Sequence, residues 1–490
     1  MKQNNLLCLL LVMTNTLFAQ LNNPPGLNLI RTEDLKKDLY SLADAHFNGR
    51  SAGTLDELKA AMWMAEKYRD IGLKPAGDDG TYFQYFTLWR NQMADNSSIQ
   101  INNISLALWK DVAVSQMANV SLHAPIVYLG NVSDIDTNTV DVKDKVVAME
   151  ANSKGINLNV SLPTWRYSRY IFTKYGLPLL RRGATAIIFI ADDVAEKAWD
   201  DASENFKRGI YDIEGGTNVN ITTTVPVIWL HAHAKNELQD NKGILNANLI
   251  IAKYPYASVN IVGKIGGTDA KLKSEYVLYS GHIDAHGIRN VINNDSVYHG
   301  ADDNGSVDVA MLANARAFVK NPSKRSVLFV IHGAEERGLL GSRYFSAHPT
   351  VPLNDIVAVL NGDMIGRNRT DSAAILGIIP PHRNSLELVN MALAANKEGP
   401  NFTIDTTWDE VNHIEGWYFR SDHLPYARLG IPAIMYTSLL HSDYHTPQDN
   451  AENINYSKLK KMADWMFRTG WKVANAANRP ATDKGFKLER

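Results

Sequence analysis

Apolar positions recur along this chain in three successive rhythms. Behind a capping box formed by Thr54 and Glu57, residues Leu58, Ala61, Met62, Ala65 and Tyr68 fall at helical spacing, and Gly72 supplies the stop. The pattern predicts an amphipathic helix docked on a larger body. Between about 120 and 252 the texture changes to short apolar runs, Pro125 to Leu129, Lys145 to Met149, Ala184 to Ala191 and Val225 to Leu230, separated by polar stretches rich in Asn, Asp and Thr. These predict a separate small β-rich domain. From about 255 strand and helix alternate. Strands are expected at Tyr276 to Ser280, Ser326 to His332, Ile356 to Asn361 and Pro432 to Thr437, with helices near Val307 to Phe318, Leu339 to Ala347, Ser385 to Ala395 and Tyr456 to Ala477. Such alternation argues for an α/β fold, its mixed and mostly parallel sheet covered by helices on both faces.

Length and charge narrow the function. A chain of 490 residues corresponds to two or three domains at roughly 150 residues each. Lys and Arg total 50 against 52 Asp and Glu, a net charge of -2, so no basic field exists to hold a nucleic acid. With 45% hydrophobic residues the composition is that of a folded protein, not a disordered one. The start of the chain, with Lys2, the apolar run Leu6 to Met13 and the end Leu17-Phe18-Ala19, reads as an export signal over 1–19. Its apolar run is far shorter than the roughly 20 residues of a membrane span. Export places the protein in the periplasm or outside the cell. The one cysteine, Cys8, lies in that signal, so the processed chain uses neither disulfides nor thiol catalysis.

The chemistry gathers where the alternating region leaves its strands. His282 and Asp284 follow the first strand, Asp302 and Asp303 precede a helix, Glu335 and Glu336 follow the second strand, Asp363 the third, and His445 lies beyond the last. Loops at the carboxyl ends of strands in open α/β sheets converge on one crevice, which brings two imidazoles and several carboxylates to one rim. Zinc accepts both donor types, and one carboxylate can bridge two ions. Two Zn²⁺ bring about +4, which three carboxylates and a bridging hydroxide return as about -4. An isolated acid at a strand end is more often a helix cap or a solvated loop residue, and Asp302 is expected to cap the helix beginning near Gly305. His286, His299 and His332 are expected to be hydrogen-bonded structural residues.

Two motifs are set aside. Gly49-Arg50-Ser51-Ala52-Gly53 has the letters of a nucleophile elbow, but helical patterns on either side deny it the strand-turn-helix setting. His332 with Glu335 and Glu336 lacks the second histidine of a zinc helix, and Gly333 and Gly338 interrupt any helix there.

Taken together, Gly281-His282-Ile283-Asp284, Gly300-Ala301-Asp302-Asp303-Asn304-Gly305-Ser306, Gly333-Ala334-Glu335-Glu336-Arg337-Gly338-Leu339-Leu340-Gly341-Ser342, Asn361-Gly362-Asp363-Met364, Ser421-Asp422-His423 and Tyr444-His445-Thr446-Pro447 resemble the co-catalytic zinc exopeptidases. That family includes secreted aminopeptidases, glutamate carboxypeptidase and the glutaminyl cyclases. Asn48-Gly49-Arg50-Ser51-Ala52-Gly53-Thr54 and Gly72-Leu73-Lys74-Pro75-Ala76-Gly77 resemble its N-terminal segment. Residues 120–252, with Lys174-Tyr175-Gly176 and Arg181-Arg182-Gly183-Ala184, resemble an inserted protease-associated domain. The resemblance implies signal 1–19, peptidase segments 20–119 and 253–490, and insert 120–252.

It implies two Zn²⁺ per chain, one held by His282, Asp303 and Asp363, the other by Asp303, Glu336 and His445. Asp284 would orient His282 from behind, Glu335 would be the general base, and Tyr444 a donor to the developing oxyanion. The reaction implied is hydrolysis of the N-terminal peptide bond of peptide substrates by a metal-bridged hydroxide. Two departures, Val307 after Ser306 and the run Ala285-His286-Gly287, remove no ligand but leave the shape of the rim open. A carboxypeptidase or dipeptidase of the same fold would need a cation for the substrate carboxylate, with Arg367, Arg369 and Arg420 as sources. A non-catalytic binding protein built on the inserted domain is the alternative from another class. Glutaminyl cyclases work with one zinc, and this chain retains five ligand positions.

Overall fold

In the computed structural model, which describes residues 23–134, 140–154, 163–216, 224–239 and 243–488, the apolar runs of the alternating region are the central strands of one sheet. The export signal expected over 1–19 lies outside the described residues. The chain divides into two compact units, Met1–Phe86 with Ala257–Arg490, and Thr87–Tyr256.

The first unit contains, in chain order, α1 (Thr32–Leu42), α2 (Leu55–Ile71), β1 (Ile251–Ile265), β2 (Tyr276–His282), α3 (Ser306–Lys320), β3 (Ser326–His332) and α4 (Leu340–Ala347). It continues with β4 (Ile356–Gly362), β5 (Ser372–Leu376), α5 (Leu386–Glu398), β6 (Thr403–Asp405), α6 (His423–Arg428), β7 (Ala433–Thr437) and α7 (Tyr456–Asn475). The strands lie in the order β6-β5-β7-β4-β2-β3-β1. The middle four, β7, β4, β2 and β3, are mutually parallel, while β1 and β5 join antiparallel. This is the mixed, mostly parallel sheet expected.

Side chains alternate between the sheet faces along each strand, and both faces are covered. Val277, Tyr279, Phe329 and Ile331 pack with Met311 and Phe318 of α3, Met64 and Tyr68 of α2, and Trp465 and Met466 of α7. Leu278, Leu328, Val330 and Val359 face the other way, onto Phe345 of α4 and Tyr426 of α6. Strands buried on both faces read as continuous apolar runs, which is why they were legible. The helix capped by Thr54 is also as expected, its Oγ1 accepting the amides of Asp56 and Glu57 and Gly72 closing it at φ 100°. The box itself is displaced. The Glu57 carboxylate accepts from Gly53 N at 2.7 Å, not from Thr54, and takes the Ser258 hydroxyl at 2.7 Å.

The second unit is a mixed eight-stranded sheet with helices Pro163–Ile171, Leu177–Arg181 and Trp199–Arg208. It begins before residue 120, where the texture changes. Ser98–Ile101 pairs with Ile244–Leu249, and Val112–Gln116 with Val227–Leu230, so these earlier strands complete its edges. Its helices were not expected from the β-rich pattern. Among the described residues no helix is long and apolar enough to cross a membrane.

Because β3 and β4 flank β2 on opposite sides, successive connections diverge from β2. That topological switch point opens a crevice beyond the carboxyl ends of the strands. Close approach of α3 beneath it depends on glycine. A Cβ on Gly362 would lie 2.8 Å from Val307 Cγ1 and 3.0 Å from its Cγ2, and one on Gly281 would lie 2.8 Å from the same Cγ1. Val307 therefore wedges under the strands and does not shape the rim. Gly362→Ala is expected to destabilise by about 1–3 kcal/mol through overpacking, and adding Val307→Ala should recover part of that loss. Thermal unfolding of Gly362→Ala at the parent temperature would refute this close-packing account.

Candidate metal centre

His282 closes β2 and is fully buried. Its Nδ1 lies 3.0 Å from the main-chain oxygen of Asp284. A carbonyl only accepts, so Nδ1 carries a proton and Nε2 is the nitrogen turned to the crevice. Nε2 stands 3.3 Å from Asp303 Oδ1 and 3.7 Å from Glu335 Oε2. Asp303 is delivered by the turn before α3, in which Gly300 has φ 58° and the Asp303–Asn304 peptide is cis. A Cβ on Gly300 would meet Asp303 O at 2.4 Å and Ala285 Cβ at 2.5 Å, so only glycine fits. The two carboxylate oxygens of Asp449 accept the amides of Asp302 and Asp303 at 2.9 and 3.0 Å. So held, Asp303 turns its second oxygen, Oδ2, to His445 Nε2 at 3.0 Å. One carboxylate spans both imidazoles.

The two glutamates follow β3 in a short turn entered through Ala334 at φ 53°. Their amides donate to the Asp284 carboxylate, Glu335 N to Oδ1 at 2.9 Å and Glu336 N to Oδ2 at 3.2 Å. The side chains diverge. Glu335 joins His282 and Asp363 in a trio whose donor atoms lie within 4.8 Å of one another, and Glu336 joins His286 and His445 in a second such trio. Glu336 Oε1 lies 3.4 Å from His445 Nε2.

Burial governs the charge state of the cluster. It pushes Asp363 up to about 8, with Asp303 adding to the effect. It raises Glu335 well above the carboxylate range, Asp363 and Glu336 reinforcing it against His282. Burial acts on Asp303 the same way, but the His282 and His445 imidazoles outweigh it and hold that carboxyl low. His282 is lifted well above its ordinary value because Glu335, Asp303 and Asp363 overcome burial. Such a surplus of buried negative charge suits cations. His282 Nε2 and Glu336 Oε1 are both buried without a hydrogen-bond partner, and imidazole nitrogen with carboxylate oxygen is a zinc donor set. The residues fit a pair of divalent ions.

All five expected ligand positions, His282, Asp303, Glu336, Asp363 and His445, meet at this crevice. Glu335 stands with them, and Tyr444 stacks on His445 with ring centroids 3.6 Å apart. One expectation needs correction and two are sharpened. The Asp284 carboxylate lies 3.7 Å from His282 Nδ1; its main-chain oxygen orients the ring, while the side chain fixes the glutamate turn. Asp302 is no helix cap, because its Oδ1 accepts Gly366 N at 2.6 Å and its Oδ2 lies 3.4 Å from His441 Nε2. His286 is hydrogen-bonded, to Arg289, and also reaches the centre, its Nε2 lying 3.3 Å from Glu336 Oε2. His299 and His332 are hydrogen-bonded, the former to Ala43 O and Asp295, the latter to Asn260 and Tyr426.

Two residues escaped notice. Asp449 follows the His445 motif closely but gives no periodic signal. Arg50 lies in the rejected Gly49–Gly53 motif, where only Ser51 drew attention. Ser51 Oγ accepts from Arg337 at 3.1 Å, whereas the buried Arg50 guanidinium donates to four main-chain oxygens. Its Nε reaches Ile283 O at 2.8 Å, Nη1 reaches Leu42 O and His299 O at 3.0 and 2.8 Å, and Nη2 reaches Gly300 O at 2.9 Å. It thus ties the turn carrying His282 to the turn carrying Asp303.

The fold and this site define an α/β protein whose strand ends gather two imidazoles and several carboxylates into a candidate metal centre. Residues 260–469 match the profile of peptidase family M28. Among curated proteins, it is 28% identical to aminopeptidase YwaD of Bacillus subtilis over 38% of this chain and 40% of that protein. It is also 28% identical to the uncharacterized protein YfbL of Escherichia coli, over 42% and 68% respectively. The match thus spans about two fifths of the Bacillus aminopeptidase's length. Among solved structures, an aminopeptidase from Aneurinibacillus sp. strain AM-1 superposes with a TM-score of 0.59 at 17% identity, over 92% of this chain and 96% of that one. A zinc aminopeptidase from Bacillus subtilis gives 0.56 at 18% identity, over 94% and 99%. These two likenesses establish the fold.

Arg50→Met would leave four main-chain oxygens without their donor, at about 1–3 kcal/mol for each buried group that water cannot reach. Urea denaturation is expected to show a loss of at least about 3 kcal/mol, together with weaker zinc binding. A variant as stable as the parent would remove the bracing role.

Proposed function

We propose that this chain is an exported zinc exopeptidase holding two Zn²⁺, and specifically an aminopeptidase. The observation that carries the reading is Asp303, whose two oxygens face His282 and His445 separately, as a carboxylate shared by two ions would. His282, Asp303 and Asp363 would hold one zinc, and Asp303, Glu336 and His445 the other. When bound, the ions lower the pKa of a water and polarise the scissile carbonyl.

The chain's own groups supply the rest. Glu335, a member of the buried trio with His282 and Asp363 and with raised proton affinity, takes the proton from the attacking water and returns it to the leaving amine. Tyr444 Oη accepts from Arg420 Nη2 at 2.9 Å. Because that bond occupies a lone pair, the phenol hydrogen stays available as a donor to the oxyanion.

The choice of chain end follows from charge. Arg367 pairs with Asp443 at 2.5 Å, Arg369 with Asp371 at 3.4 Å and Arg420 with Glu415 at 2.9 Å. A substrate carboxylate would find all three candidate cations neutralised, and would face a crevice rich in carboxylates. An ammonium group is the complementary chain end. We read Thr87–Tyr256 as a protease-associated insert, and the export signal as directing the protein to the periplasm or beyond.

The decisive experiment is turnover of a peptide set by the zinc-loaded protein, with each member also supplied amine-blocked and carboxyl-blocked. Loss of cleavage on blocking the amine alone is expected; loss on blocking only the carboxylate would make the enzyme a carboxypeptidase. Glu335→Gln should retain two zinc equivalents by elemental analysis while kcat falls at least about 10²- to 10⁴-fold. Unchanged turnover in that variant would remove Glu335 as the base.

A further inference from the structure

His286 opens the hairpin formed by Gly287–Ile292 and Asp295–Tyr298, and its side chain is buried against the centre. Its Nε2 lies 3.3 Å from Glu336 Oε2, and its ring stands edge-on to His445 with centroids 3.8 Å apart and planes at 89°. By donor type and spacing, His286, Glu336 and His445 could all ligate one ion. Arg289, on the same hairpin, decides otherwise. Its Nη2 lies 2.6 Å from His286 Nδ1, and its Nε donates to the His286 main-chain oxygen at 3.1 Å.

A guanidinium has no lone pair with which to accept. Nδ1 must therefore be the acceptor, which assigns the ring proton to Nε2. A protonated Nε2 cannot bind a metal, and it faces Glu336 Oε2 at 3.3 Å with its positive N–H edge. The other oxygen, Oε1, is then left for the ion; it is buried without a hydrogen-bond partner and faces His445 Nε2 at 3.4 Å.

We propose that His286, held in its Nε2–H form by Arg289, is a positioning residue that fixes Glu336 as a one-oxygen ligand and is not itself a third nitrogen ligand. The second ion then has Asp303, Glu336 and His445 as its protein donors and keeps a position for the substrate, as catalytic zinc sites do. This inference rests on the two-metal reading above and adds to it the element that keeps that position open.

The test starts with the cobalt-substituted wild-type protein, counting hyperfine-shifted, solvent-exchangeable imidazole N–H resonances by proton NMR. Two are expected, from His282 and His445, and a third would overturn the proposal by making His286 a ligand. A chelator competition then compares variants. His286→Ala should weaken one of the two zinc equivalents about 10- to 100-fold, and Arg289→Met should weaken the same one. His286→Gln, which restores an N–H donor, should recover most of the loss. Unchanged zinc affinities in His286→Ala would overturn the positioning role while leaving the two-metal reading intact. A wild-type protein that holds fewer than two ions would overturn that reading and this proposal together.

Discussion

Burying several carboxylates side by side is the constraint on which the rest of this structure depends. Glu335, Asp363, Asp303 and Asp284 all lie out of water, where each repels the others and none can be hydrated. A chain that brings them together must hold every one in place by a bond that is indifferent to that repulsion. Main-chain amides meet the need, because they carry no net charge and cannot titrate. Asp284 takes two of them from the glutamate turn, and Asp449 takes two from the turn bearing Asp303. The acids that point into the crevice are positioned by acids that point away from it.

Arg50 solves the complementary problem. Its charge lies among these acids yet is spent on the carbonyls of Leu42, Ile283, His299 and Gly300. The turns leaving β2 and entering α3 are thereby fastened from behind, with the carboxylate oxygens left for the crevice. Small residues complete the support. Gly281 and Gly362 let Val307 press α3 against β2 and β4, so Asp303, His282 and Asp363 are spaced by packed elements and not by loop length.

Legibility in the sequence followed the physical range of each signal. Strands buried on both faces and the Thr54-capped helix leave local marks and stand where the pattern predicts, while the acids at strand exits are marked by their place in the sequence. The edge strands of the second unit were missed because 98–116 mixes polar and apolar residues without a clean period. All but one of the side-chain to backbone bonds of Asp449 and Arg50 span 146 to 250 positions and leave no trace in spacing. His286 differs again. Its proximity to Glu336 comes from how the hairpin folds back, and its tautomer from an arginine three residues on; neither can be read from composition. Sequence cannot tell a carboxylate contact from a carbonyl contact made by the same residue, and at Asp284 it is the main-chain oxygen that meets His282 Nδ1.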